Sequence, residues 1–156
     1  MMQINRSTNL NLPKRTYHSE LLATQAKNNL LNPTKTKSRE DFIEILTFLR
    51  NNSISPSDLK TFVQAKSKES EETLLHILCQ ESEVLCSAEK EKLVPILLRA
   101  GADVNAVNNR EETPLDIAKK NKDNSLIQLL KDFKGKTLEE LREWKITVYE
   151  FFNAVS

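Results

Sequence analysis

The chain of 156 residues contains only two glycines, Gly101 and Gly135, and they stand far apart. A phosphate-cradling Walker loop, a G-x-G-x-x-G dinucleotide turn and a nucleophile elbow all need closely spaced glycines, so these sites are excluded. Cysteine is equally scarce: Cys79 and Cys86 are accompanied by just two histidines. A structural zinc site takes about four such ligands, so no metal is expected, and nothing in the chain calls for another cofactor. Two cysteines in a chain this long fit a reducing cytoplasm better than a disulfide-stapled secreted scaffold. No apolar run approaches the ~18 residues of a membrane helix. The N-terminus, MMQINRSTNLNLPKRTYHSE, lacks the apolar core of a signal peptide. A dominant charge is missing too: 23 Lys and Arg face 22 Asp and Glu, a net charge of +1. Without a strong field of one sign, nucleic acid is disfavoured as the partner.

What is present divides into three segments. Residues 1–37 form a polar, mildly basic arm in which Glu20 is the only acid against Arg6, Lys14, Arg15, Lys27, Lys35 and Lys37. Within it, Ser19 can cap a short helix carrying Leu21, Leu22, Ala26, Leu30 and Leu31, which Asn32-Pro33 would stop. From Ser38 the pattern turns apolar, with Phe42, Ile45, Leu46 and Leu49 on one face and Glu40 and Asp41 suited to a helix N-terminus. Asn51-Asn52 breaks that helix. Ser55-Pro56 starts another through Leu59, Phe62 and Val63, so residues 40–65 read as a helical hairpin.

The middle of the chain repeats. Thr73-Leu74-Leu75-His76-Ile77-Leu78 aligns with Thr113-Pro114-Leu115-Asp116-Ile117-Ala118, and Leu93-Val94-Pro95-Ile96-Leu97 aligns with Leu126-Ile127-Gln128-Leu129-Leu130. Between them runs Leu97-Leu98-Arg99-Ala100-Gly101-Ala102-Asp103-Val104-Asn105-Ala106. This stretch resembles the ankyrin repeat, whose pattern joins G-A-D-V-N-A to T-P-L-H-x-A over about 33 residues. Gly101 suits a left-handed helix end, and Thr113 with Pro114 suits the next helix start. The resemblance is strong over residues 73–133. It implies an all-α, short and irregular helical solenoid over residues 38–135, with residues 136–156 as a C-terminal capping helix. It also implies structural roles for Thr73, His76, Gly101, Asp103, Asn105, Thr113 and Pro114.

Departures from the pattern locate the irregularity. Thr73 to Gly101 is about seven residues too long for the family spacing, which makes the region from Glu81 to Ala88 an inserted loop or a helix extension. Pro95 falls inside the second helix, where it removes a hydrogen bond. At the C-terminal end, Thr137 and Glu140 form a capping box opening a helix to about Asn153, with Leu138, Leu141, Trp144, Val148, Phe151 or Phe152, and Val155 on one apolar stripe. The expected role of this stripe is to cap the stack by burying Trp144 and a phenylalanine, with partner or dimer contact as the alternative.

No nucleophile–base pair is legible: Cys79 lies on the apolar helix that holds His76, where burial raises a thiol pKa. No catalytic residue is expected, and the paired glutamates 71-72, 111-112 and 139-140 fall at helix starts, where the macrodipole favours them. The resemblance implies a non-enzymatic protein–protein interaction module, favoured as a monomer. Its expected contact is the turn from Ala106 to Glu112, with Asn108, Asn109 and Arg110 exposed beside Glu111 and Glu112. The alternative function is a polyanion- or membrane-anchored regulator using the basic arm. Asn- and Lys-rich composition also resembles ankyrin effectors that intracellular bacteria deliver into host cells, which sets a type IV-like secretion route beside the cytoplasmic expectation.

Overall fold

The structure, a computed structural model, describes residues 38–51, 54–83 and 85–155. The arm of residues 1–37, with the helix expected over Ser19 to Leu31, lies outside the described residues. Seven α-helices are found among those described: α1 (Arg39–Arg50), α2 (Pro56–Phe62), α3 (Leu74–Gln80), α4 (Ser87–Arg99), α5 (Pro114–Lys120), α6 (Asn124–Asp132) and α7 (Leu138–Ala154). An isolated antiparallel bridge pairs Lys66 with Thr73.

A side chain suited to capping starts each helix that carries the stack. Ser38 with Asp41, Thr73 with His76, Thr113 with Asp116 and Thr137 with Glu140 form reciprocal capping boxes at the starts of α1, α3, α5 and α7. Each box satisfies backbone N–H groups that a helix start leaves without partners. Helix α3 packs between α1 and α5, while α4 lies along α6, so two rows of antiparallel pairs share one core. Phe42, Ile45, Phe62, Leu74, Leu75, Ile77, Leu78, Leu97, Leu115 and Leu126 are fully buried there. Helix α3 ends at Gln80 and α4 begins at Ser87, so the extra length lies between the helices of one pair. Pro95 stands well inside α4, and the helix continues past it with Val94 and Leu97 buried.

Three helices end in the same way. After α4, α5 and α6 a left-handed residue lets the following N–H reach back to a carbonyl five positions earlier: Ala102 to Leu97, Asp123 to Ala118, and Gly135 to Leu130, at 3.0, 3.1 and 2.8 Å. The left-handed residue is Gly101 in the first case (φ 103°), but Lys122 and Lys134 in the others (φ 56° and 66°). A side chain at positive φ is strained, so opposite substitutions should have opposite signs. Gly101→Ala should cost about 1 kcal/mol and Lys134→Gly should gain about 0.5–1 kcal/mol, both read by urea unfolding.

One expectation is corrected here: α7 does not close the stack with its aromatic stripe. None of its residues is buried, and Trp144, Phe151 and Phe152 are 55%, 67% and 67% exposed. The turn before α7 is closely packed: Gly135 sits so tightly against the end of α6 that an added Cβ would lie 2.7 Å from the Leu130 carbonyl oxygen and 3.2 Å from Val104. The start of α7 is tied down by the Leu138 N–H donating to Asp116 at 2.9 Å and, just before it, by Thr113 donating to the Lys136 carbonyl at 2.8 Å.

Candidate functional site

Two turns, residues 66–73 and 105–113, project from the same end of the helix pairs and are laced together. The Asn109 N–H donates to the Ser70 carbonyl at 3.0 Å, and its side chain donates to the Glu69 carbonyl at 2.9 Å. Beneath them, His76 is fully buried. Its Nδ1 accepts from the Thr73 N–H at 3.1 Å, which places the ring proton on Nε2, donated to the Glu112 carbonyl at 3.1 Å. Burial pushes the imidazole below its ordinary pKa, outweighing the opposing effects of the Glu112 carbonyl and the Glu72 charge. Asp116 occupies the corresponding place in α5 and, as an anion, accepts from Thr113 and Leu138. Thus His76 and Asp116 each tie one helix start to the following turn, the structural task expected of His76 and Thr113.

Asn105 links the next layer, accepting from the Lys136 N–H at 2.7 Å and donating to the Lys134 carbonyl, while Asp103 accepts the Asn105 N–H at 2.9 Å. The second turn is far less free than the sequence suggests. Asn108 is buried rather than exposed: its Oδ1 accepts the N–H groups of Arg110 and Glu112 at 3.0 and 2.9 Å, closing the turn from inside. Glu112 is half-buried and pairs with Lys120 at 3.1 Å and Arg110 at 3.4 Å. Glu111 is exposed at a φ of 59° and meets Arg142 at 3.0 Å.

A charge cluster that no sequence motif announces holds the base of both turns. Glu72, 2% exposed, accepts from Ser70 at 2.8 Å, from Gln80, from Arg39 at 3.3 Å and from Arg110. Desolvation alone would raise its carboxyl pKa, but hydrogen bonds from Gln80, Ser70 and Arg110, with the Arg110 charge, hold it below the usual carboxylate value. Its two arginine partners are separated from it by 33 and 38 residues in sequence, so no local spacing could reveal them. Arg110 is therefore part of the turn's own scaffold. The double variant Asn109→Ala/Arg110→Ala should lose about 1–2 kcal/mol by chemical denaturation, because two bridging hydrogen bonds and a partly exposed ion pair go together.

Burial pushes the Cys79 thiol up to about 12, which keeps it protonated and inert beside His76. Among the described residues, no group of three or more His, Cys, Asp or Glu side chains could hold a metal ion. None of the described helices is long and apolar enough to cross a membrane. Two apolar surfaces remain. One is the face of α7, where Trp144, Phe151, Phe152 and Val155 are exposed, with Lys136 Nζ 5.5 Å from the Trp144 ring centroid. The other is a groove of about 540 Å³ between α1, α2 and α4, lined by Leu49, Ile54, Leu59 and Ile96 with Lys60 and Arg99 beside them. No protein-family model, no curated protein and no solved structure matches this chain.

Proposed function

We propose that this chain is a non-enzymatic, ankyrin-type protein-recognition module that anchors on another protein through the aromatic face of α7. The observation that carries this reading is the exposure of Trp144, Phe151, Phe152 and Val155 along one stripe of one helix. Isolated apolar side chains on a surface need no explanation, but a contiguous aromatic stripe is costly to leave in water and is typical of interface anchors. The stripe recurs at three- and four-residue steps, so it fits a groove as a helix does.

Charge narrows the partner. Helix α7 carries Glu139, Glu140, Glu143 and Glu150 against Arg142 and Lys145, a net charge of −2. Its complement is an apolar groove with basic flanks, and an anionic membrane would repel it. The groove holding Lys60 and Arg99 on this chain has that chemistry, so association of two copies is one outcome a test must resolve. The two laced turns supply a rigid second surface, with Asn109 and Arg110 at its exposed tip. The proposed place of action is a reducing compartment, the cytoplasm of its own cell or of a host.

Photo-crosslinkers at Thr147, on the edge of the stripe between Trp144 and Phe151, and at Asn153, on the opposite side, test this reading in the full chain. Saturable crosslinking to one protein from Thr147 and none from Asn153 supports it, provided the purified target binds wild type and not Trp144→Ala/Phe151→Ala. Crosslinks equal at both positions would overturn it. So would binding confined to nucleic acid or acidic vesicles with a steep salt dependence, which is the signature of the polyanion alternative.

A further inference from the structure

A second cavity, of about 640 Å³, lies at the opposite end of the helix pairs from the laced turns, where the starts of α4 and α6 come together. Its walls include Lys90 and Lys122, the hydroxyl-bearing Ser87 and Ser125, and Asn121 and Asp123. Lys90 is the unusual member. It is 4% exposed, yet it forms no ion pair with any described carboxylate. Its one hydrogen bond runs to the Cys79 carbonyl at 3.5 Å, and that carbonyl already accepts from Asn121 at 3.1 Å.

A lysine withdrawn from water ordinarily has an anionic partner, because desolvating an ammonium is expensive and three donors need acceptors. Snorkelling to the surface is the usual escape for a long side chain, and the burial of Lys90 shows that it does not take it. The acid in the lining, Asp123, turns Oδ1 to the Leu126 N–H at 3.1 Å as the cap of α6. At the start of α4 the Cys86 N–H is taken by Glu89 at 2.9 Å. The lining hydroxyls and amides can donate to a ligand as well as accept. Ser87 opens α4 and Asn124 and Ser125 open α6, so the amide-bearing ends of helices of 13 and nine residues line the same space. Lys122 adds a second lysine to the lining.

We infer that this cavity binds a small tetrahedral oxyanion of the phosphate class as the missing counter-ion of Lys90. A cation is repelled by the two lysines, and a neutral ligand leaves the buried ammonium uncompensated. A tetrahedral anion takes donors from several directions at once, which matches hydroxyls and helix starts arranged on two elements around one ammonium. Because α4 and α6 belong to successive pairs, the anion would also tie those pairs together. This is independent of the aromatic face of α7.

The test uses the full chain with inorganic phosphate as probe, at constant ionic strength with chloride as the balancing ion. Thermal melting and isothermal titration should show saturable stabilisation by phosphate and by sulfate, and none by chloride. Lys90→Met should abolish the saturable rise while melting no lower than wild type in chloride, because an uncompensated buried charge has been removed. Ser125→Ala, at an exposed position that tolerates the change, should weaken phosphate binding by roughly tenfold. An identical response of the Lys90 variant to phosphate, or no difference between phosphate and chloride with wild type, would overturn the inference. Should Lys90→Met fail to fold, the Ser125 and Lys122→Ala variants decide it, since unchanged phosphate affinity in both contradicts the site.

Discussion

Substituting His76 by alanine is expected to destabilise the chain by about 2–5 kcal/mol, enough to unfold a large fraction of a marginally stable domain. The ring is fully buried, so its removal leaves a cavity. It also strands the Thr73 N–H and leaves the Glu112 carbonyl with the Asn108 N–H at 3.1 Å in place of two donors. His76→Asn keeps an acceptor near Thr73 and should recover part of the loss. Urea unfolding monitored by circular dichroism measures both.

The same ring sets a pH dependence with a definite sign. Its folded pKa lies below the ordinary 6.5 because burial opposes the imidazolium. The unfolded chain therefore binds the proton more readily. This stabilising contribution is complete above pH 6.5 and declines as pH falls below it, by up to ~1.4 kcal/mol per pH unit, until the folded value is reached. Glu72 adds a lower limb: its carboxyl pKa is lowered from 4.5, so that contribution holds above pH 4.5 and is lost below. A pH series of unfolding curves should show the upper limb in wild type and not in a folded His76 variant.

Trp144→Ala/Phe151→Ala should reduce partner affinity by ~100-fold or more, since aromatic anchors carry about 2–4 kcal/mol each when truncated at an interface. The melting temperature should stay within a few degrees, because neither side chain is buried in the free chain. Deleting the chain after Leu141 should likewise leave a cooperatively melting protein, as no residue of α7 is buried. Differential scanning calorimetry and light scattering check this. An aggregating truncation would restore the helix to a capping role.

Helix positions were legible in the sequence where capping chemistry and periodicity agree. Ser38, Ser55, Thr73, Thr113 and Thr137 all stand at helix N-caps, and the hairpin expected over residues 40–65 is α1 with α2. The pairing of helices followed from the repeat. Burial on the second turn was not legible, because Asn108 and Asn109 are identical letters with opposite fates: one faces inward to close the turn, the other outward to the neighbouring turn. The Glu72 cluster and the Lys90 cavity depend on residues brought together from distant pairs, so no spacing encodes them. For α7 the sequence correctly shows an apolar stripe, but periodicity says only that a face is apolar. Whether that face is covered is a three-dimensional fact, and here Trp144, Phe151 and Phe152 stay exposed.

The central claim, that recognition runs through the aromatic face of α7, is tested most directly by one titration of the crosslinked target, purified, against three forms of the full chain. The forms are wild type, Trp144→Ala/Phe151→Ala, and Asn109→Ala/Arg110→Ala, each first shown to be folded by circular dichroism. Loss of ~100-fold or more in the aromatic variant, with a change below tenfold in the turn variant, is the predicted result. Undiminished affinity in the aromatic variant would contradict it and return the interface to the turn at Asn109 and Arg110.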